Sequence, residues 1–113
     1  VKTREDAERA AKVFFDKGVK NVVITMGALG AFASDGQKSE LLPRLKVDAI
    51  DSTGAGDAFN GGFLMALSEG KDLFTALRYG NATGALSVTK LGTAPAMPHR
   101  AEIDAMVREN YGI

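Results

Sequence analysis

The spacing of apolar and polar residues predicts four helices and several short strands. Apolar residues recur at helical intervals in four segments, residues 4–17, 57–69, 72–89 and 100–110. Between the first two of these, short apolar runs rich in β-branched or alternating residues predict strands at residues 21–26, 31–34, 39–42 and 45–50. Helices that alternate with buried strands favour an α/β fold.

Local signals fix where several of these elements begin and end. Thr3 is placed to cap the first helix, and Gly18 suits the left-handed position that follows it. The Asp35-Gly36 pair between two short strands predicts a hairpin. The run at 21–26 is mostly apolar and rich in β-branched residues, as is typical of a buried strand in a parallel sheet. Gly70 ends the second helix.

Composition excludes several classes of function. Fourteen basic residues balance fourteen acidic ones, which argues against nucleic-acid binding. No apolar run approaches the roughly 18 residues of a membrane span, no signal-peptide pattern opens the chain, and there is no cysteine. We therefore expect a cytoplasmic protein with no membrane partner. Because the sequence opens on Val1, we expect a piece of a longer protein.

The stretch DSTGAGDAFNGGF, residues 51–63, is the candidate site. Gly54 and Gly56 flank Ala55 and allow backbone angles at which successive amide groups point into one concavity, which attracts an anion. The helix that follows adds its positive end. Asp57 in its first turn is stabilised as a carboxylate and is placed to accept a hydrogen bond from a substrate hydroxyl. Such an arrangement suits phosphoryl transfer.

A plainer interpretation is a tight strand-to-helix turn followed by a first-turn acid, and for an isolated Gly-x-Gly-Asp it is the more common case. Two familiar phosphate motifs do not fit. A dinucleotide fingerprint from Gly54 would need glycine where Phe59 stands, and a P-loop from Gly56 would need lysine where Gly62 stands. Any positive charge at this turn must therefore come from backbone, helix and bound cations.

The stretch resembles the second signature of the ribokinase-like (PfkB) family of carbohydrate and nucleoside kinases. VVITMGALGAFA resembles that family's strand and nucleotide-contacting glycine turn, and ALRYGNATGALSVTKLGTAPAMPHRAEID resembles its C-terminal helices and loop. The resemblance implies that residues 1–113 are the C-terminal part of a three-layer α/β/α domain, with a mostly parallel sheet and a β-hairpin. This portion would carry the ATP site and the catalytic base.

The family's roles transfer to matching positions. The resemblance implies that Asp57 is the base that takes the sugar's proton. It implies an anion hole at Gly54, Ala55 and Gly56. Gly56 and Asp57 would also contact the nucleotide. A turn that contacts the nucleotide is implied at Thr25, Met26, Gly27, Ala28, Leu29 and Gly30. Asn81 corresponds to a side chain that borders the adenine; from its mid-helix position alone, it would face solvent.

A monovalent-cation site, usually occupied by potassium, is implied as well. Its ligands would be Asp51, Thr53, Ser87, Lys90, Gly92 and Ala96, several through backbone carbonyls. Ala96 departs from the family's usual serine, which puts the site in doubt. Plainer roles remain open for Asp51 as a cap, for Thr25 as a structural strand end and for His99 as a surface residue. The glycines at 80 and 84 would serve helix packing or admit a base, and the charged positions 100, 102, 104 and 108 would be solvated.

The resemblance implies an ATP-dependent sugar kinase that uses Mg²⁺ and K⁺ and phosphorylates a primary hydroxyl of ribose, giving ribose 5-phosphate. The family's sugar-binding Gly-Gly motif, its Asn-x-x-Glu motif and its β lid, which often forms a homodimer contact, are absent from these residues. We expect the segment alone to be inactive. The alternatives are another kinase of the family, such as a fructokinase or adenosine kinase, a nucleotide-binding module without catalysis, or a purely structural α/β domain.

Overall fold

A computed structural model describes residues 3–26, 30–45, 47, 55–89 and 98–113. The chain divides into two compact units, residues 1–44 and 45–113. The first holds one helix and a three-stranded sheet, and the second holds three helices. Among the described residues, none of the helices combines the length and the apolar character needed to cross a bilayer.

The first unit begins with α1, Arg4–Asp16, capped as predicted. The Thr3 hydroxyl accepts a hydrogen bond from the Asp6 amide at 3.1 Å, and Gly18 has the positive φ, +92°, that follows the helix end. One face of α1 packs on the sheet and forms a small core. That core consists of Ala7, Ala11, Val22, Met26 and Phe32.

The sheet has the order β1-β2-β3, with β1 at Val22–Thr25, β2 at Ala31–Ser34 and β3 at Ser39–Leu42. The predicted hairpin is confirmed: β2 and β3 pair antiparallel. Its turn is held by the Asp35 carboxylate, which accepts hydrogen bonds from the amides of Lys38 at 2.7 Å and Gln37 at 2.9 Å. These two bonds, that of Lys38 first, lower the pKa of Asp35.

Strand β1 is present as predicted, with one neighbouring strand among the described residues. Within the described residues its partner is the antiparallel β2, because the connection at 26–30 is far shorter than the crossover a parallel partner needs. Of its four residues only Val22 is buried, and Thr25 is exposed. Of the predicted strand at 45–50, Leu45 and Val47 are described and belong to no strand, and the rest lies outside the described residues.

The second unit consists of α2, Ala55–Ser68, α3, Leu73–Ser87, and α4, Arg100–Tyr111. The Asp72 carboxylate caps α3 by accepting from the Thr75 amide at 2.7 Å, and Gly70 has φ +86° just after α2. The three helices surround one core, formed by Ala66, Ala76, Tyr79, Ala82, Ile103 and Val107. All three predicted helices are present, with ends shifted by one or two residues.

Candidate active site

The first turn of α2 carries the central residues of the predicted site. Ala55 is half-buried, and Gly56 and Asp57 are exposed. The first amide groups of a helix have no acceptor within that helix, and the N-terminus carries partial positive charge. Within the described part of the chain the Asp57 carboxylate has no hydrogen bond or ion pair. The turn can therefore present amide donors and one acceptor carboxylate to a ligand. Gly54 lies outside the described residues.

Gly56 has no structural need for glycine within the described chain. Its φ is not positive, and a Cβ built on it would meet no heavy atom within 4 Å. A glycine in a helix is about 1 kcal/mol less stable than alanine. The absence of a side chain therefore costs stability and leaves open space beside the backbone, which is what close approach by an anion requires.

The beginning of α2 is seated on α3 through glycines. A Cβ at Gly80 would lie 3.1 Å from the Phe59 ring, and one at Gly84 would lie 3.4 Å from the Ala55 carbonyl oxygen. One turn further along, Gly62 faces Thr83 even more closely. The predicted packing role is thus confirmed at Gly80, where the gap is filled by Phe59, whereas a Cβ at Gly84 would make only ordinary van der Waals contact. Because the helices interlock, the first turn of α2 is held on a rigid support.

The predicted nucleotide turn lies in the first unit. Thr25 ends β1, Met26 is buried, and its amide donates to the Gly30 carbonyl at 2.8 Å. Gly30 has φ +107°, and a Cβ there would lie 1.9 Å from the Leu42 carbonyl oxygen. Gly30 is therefore required by the close passage of the chain after β3. Gly27, Ala28 and Leu29 lie outside the described residues.

The mid-helix position of Asn81 alone suggested that its side chain faces solvent, but the structure shows that Asn81 is buried. Only 8% of the residue is exposed, and its Nδ2 donates to the Tyr111 hydroxyl at 2.9 Å. The Arg78 guanidinium lies 5.6 Å from the centroid of the same tyrosine ring. Burial raises the pKa of Tyr111, so its hydroxyl stays protonated at neutral pH. No sequence signal pointed to this partner, which is 30 residues away.

Arg100 is not merely solvated. Its guanidinium pairs with Glu69 after α2 and with Asp104 in α4, the latter at 2.8 Å, and it lies 5.7 Å from the centroid of the Tyr79 ring. The hydrogen bond from Arg100, followed by that from Lys71, lowers the pKa of Glu69 to about 2. His99 is exposed, as predicted, and its amide donates to the Glu102 carboxylate at 3.0 Å.

The implied cation ligands are mostly undescribed. Asp51, Thr53, Lys90, Gly92 and Ala96 lie outside the described residues. Ser87 ends α3, and its hydroxyl donates a hydrogen bond to the Gly84 carbonyl at 2.7 Å. Of the Ser87 groups, the backbone carbonyl is therefore the one that suits the predicted cation ligand. No cluster of three or more His, Asp or Glu side chains suited to a metal occurs in the described segments.

Comparison with known proteins identifies the family. The family described as pfkB family carbohydrate kinase matches residues 1–100. The chain belongs to the pfkB carbohydrate kinase family. A ribokinase of Haemophilus influenzae is 48% identical to this pfkB-family chain over 102 residues, which cover 90% of the chain and 33% of the relative. The chain thus spans about a third of the length of that relative.

Solved structures agree on the ribokinase-like α/β fold. A ribokinase of Thermotoga maritima superposes with a TM-score of 0.82 at 42% identity, covering 89% of this chain and 34% of that one. An Arabidopsis thaliana ribokinase, complexed with ribose and ATP, superposes with a TM-score of 0.85 at 30% identity, covering 94% and 35%. Fructokinases and deoxyribokinases also match. The comparisons therefore establish the family and leave the sugar open.

Proposed function

We propose that this chain is the ATP-binding and catalytic-base portion, residues 1–113, of a cytoplasmic sugar kinase that phosphorylates ribose at a primary hydroxyl. The single observation that carries the proposal is the first turn of α2, where Asp57 is exposed and unpaired within the described chain beside a glycine that packing does not require. Ribose is favoured because three relatives at 48%, 44% and 42% identity are ribokinases.

The first turn of α2 supplies two functions. Asp57 accepts the proton of the sugar hydroxyl as the hydroxyl oxygen attacks the γ-phosphorus of ATP. The bond between the γ-phosphorus and the bridging oxygen breaks, and ADP leaves. The amides at Gly54, Ala55 and Gly56 donate to the oxygens of the group in transfer, where charge spreads in the transition state. The packing of α2 on α3 fixes the position of the carboxylate relative to the amides. A shift of catalytic groups by about 1 Å can lower the reaction rate about 100-fold.

The nucleotide and cation assignments extend this proposal. The turn from Thr25 to Gly30 and the side chain of Asn81 would contact the nucleotide. Asp51, Thr53, Ser87, Lys90, Gly92 and Ala96 would hold a potassium ion. Solved relatives support both ions: one is in complex with ATP and Mg²⁺, and another, a fructokinase, is bound to potassium. Potassium would supply a fixed positive charge near the anion hole. A dimer of the complete protein remains a prediction.

The experiment is a panel of sugars offered with MgATP to the complete kinase, with ADP release and the phosphorylated product measured. The proposal predicts turnover with ribose above fructose and adenosine. A higher kcat/KM for fructose or adenosine would assign the alternative substrate within the family. ATP binding without transfer to any sugar would favour a non-catalytic nucleotide-binding module.

A second arm tests the site itself with Gly56→Ala. The new methyl group meets nothing in the described chain, so the fold should persist, but it would occupy the space in which the phosphoryl group approaches the backbone. We expect kcat to fall about 100-fold, the effect of losing one such donor. Unchanged kcat would remove Gly56 from the anion hole.

Stabilisation by ATP separates a nucleotide site from a purely structural domain. ATP at 100 times its Kd should raise the free energy of unfolding by about 2.7 kcal/mol, whereas a purely structural domain would show no such increase.

A further inference from the structure

One side of α2 is left uncovered, although uncharged residues make up nearly the whole helix. No charged side chain occurs between Asp57 and Glu69, and a helix that is apolar on every side is typical of a buried position. Packing in the three-helix core covers only one side of α2, since Leu64 is 61% exposed and Leu67 is 38% exposed. The sequence of α2 therefore fits a second neighbour, which the described part of the chain does not supply.

The uncovered residues form one stripe that begins at the proposed base. Asp57, Asn60, Leu64 and Leu67 are all exposed and follow each other at intervals of three or four residues, which places them on the same side of the helix. We call these four residues the α2 stripe, which extends about 15 Å along the helix axis. Its polar end carries Asp57 and Asn60, and its other end carries the two leucines.

The length of the relatives indicates what covers the α2 stripe. Exposed apolar side chains grouped on one surface mark a contact site. The chain spans about a third of the length of the ribokinases that it matches, so most of such a kinase lies outside these residues. In the complete kinase that remaining portion is tethered to every stripe and is present at a high effective concentration, whereas a separate partner has to be recruited from solution.

We propose that the α2 stripe is the surface on which the portion of the kinase outside these 113 residues packs, and that this contact sets the bound sugar against Asp57. Leu64 and Leu67 supply the apolar contact. The exposed Asn60 carboxamide, one turn after Asp57, offers a hydrogen bond to the covering chain. Because Asp57 begins the same stripe, the covering portion lies beside its carboxylate. The inference rests on the proposed function for the role of Asp57, but the contact itself does not depend on it.

The first test is cross-linking in the complete kinase with photo-leucine, a leucine analogue whose side chain carries a diazirine and keeps nearly the same shape. After irradiation, the cross-linked peptides are identified by mass spectrometry. We expect Leu64 and Leu67 to cross-link, within one molecule, to peptides outside residues 1–113. Leu77 is the control, because it is fully buried in α3 and should cross-link only to residues of this chain.

Three outcomes of the cross-linking would overturn the inference. Cross-links from Leu64 that stay within residues 1–113 would show that this chain covers its own stripe. Cross-links that join two molecules would assign the stripe to a second copy. A Leu64 that forms no cross-link, while Leu77 does, would show that the stripe stays uncovered in the complete kinase.

The second test measures protection of a single thiol at the stripe. These residues contain no cysteine, so Leu64→Cys and the control Ile113→Cys, which replaces a residue that is 54% exposed, each place one thiol in this part of the complete kinase. We expect a maleimide to react with Leu64→Cys at least about 100-fold more slowly in the native kinase than in urea, because reaction requires opening of the contact. Ile113→Cys should show no such protection. Equal rates for the two native variants would contradict the contact.

A third measurement tests the effect of the contact on the sugar. Leu64→Ala loosens the contact, and misplacement of reacting groups by about 1 Å costs about 100-fold in rate. We expect kcat/KM for ribose to fall about tenfold or more, with the Kd for ATP within about twofold of wild type; Ile113→Ala should change neither quantity. Unchanged kcat/KM for Leu64→Ala would overturn the link to the sugar. Cross-links to the remaining portion in a wild type that phosphorylates no sugar would refute the proposed function and leave the contact established.

Discussion

Two glycines in α2 allow a matched test of how this helix is seated. Gly56 and Gly62 have helical backbone angles with negative φ. A Cβ on Gly56 would meet nothing within 4 Å, whereas one on Gly62 would lie 2.1 Å from Thr83 Oγ1, 2.6 Å from Thr83 Cβ and 3.0 Å from the Tyr79 carbonyl oxygen. The same substitution, glycine to alanine, should therefore have opposite effects at the two positions.

The magnitudes follow from three contributions. In both cases alanine raises helix stability by about 1 kcal/mol. At Gly62 the new methyl group overpacks the interface, at about 3 kcal/mol. Thr83 is fully buried and its hydroxyl donates to the Tyr79 carbonyl at 2.7 Å, so moving it aside also loses a hydrogen bond, about 1 kcal/mol. We expect Gly62→Ala to destabilise by about 3 kcal/mol and Gly56→Ala to stabilise by about 1 kcal/mol.

The assay is urea unfolding followed by far-ultraviolet circular dichroism, with the free energy of unfolding compared among wild type and the two variants. Adding Thr83→Ala to Gly62→Ala removes Oγ1, the atom 2.1 Å from the new methyl group, and keeps Cβ at 2.6 Å. Part of the clash is therefore relieved, and the double variant should be more stable than additivity predicts. A Gly62→Ala variant as stable as wild type would refute the close packing of α2 on α3 and with it the rigid support proposed for the first turn.

Three further predictions concern stability. Gly30→Ala combines a positive φ with a Cβ 1.9 Å from the Leu42 carbonyl oxygen, so it should destabilise the protein by about 3 kcal/mol or more. Gly18→Ala has a positive φ of +92° but open space around the new Cβ, so it should cost only about 1 kcal/mol. Equal losses of stability in urea unfolding would contradict the close contact between Gly30 and Leu42. Phe32→Ala removes a fully buried ring and should cost about 4 kcal/mol; thermal melting within a degree or two of wild type would place the core elsewhere. The pKa of Glu69 is lowered from 4.5 to about 2, so the stability that its ionised carboxylate contributes is present above pH 4.5 and is lost as the pH falls toward 2. The Glu69→Gln variant should therefore lose less stability than wild type over that pH range. An acid-unfolding profile identical to that of wild type would contradict the ion pair between Glu69 and Arg100.

Much of the fold could be predicted because its signals are local. The Thr3 cap, the Asp35-Gly36 turn and the glycine at 70 each act within a few residues of their own position. These short-range contacts place the ends of helices and the hairpin without knowledge of the tertiary structure. The first-turn position of Asp57 followed in the same way from the apolar period after it.

What could not be predicted depends on partners distant in the sequence. Asn81 looked solvent-facing because its hydrogen-bond acceptor, Tyr111, lies 30 residues away, and Arg100 looked solvated because Glu69 lies 31 residues away. The apolar run around β1 suggested a strand of a parallel sheet, but its antiparallel pairing with β2 follows from the short connection between the two strands. The glycines at 80 and 84 predicted close helix packing, but the contact between Gly80 and Phe59 is known only from the tertiary structure.

The most direct test of the account is the turnover of Asp57→Asn in the complete kinase, measured with the Kd for ATP on the same preparation. Asparagine keeps the shape and removes the proton acceptor, so we predict that kcat falls about 100-fold to 10,000-fold while the Kd for ATP changes less than about threefold. Asp16→Asn, the same chemical change at an exposed residue ending α1, should leave both quantities unchanged. A kcat for Asp57→Asn close to that of wild type would contradict the role of this carboxylate as the base.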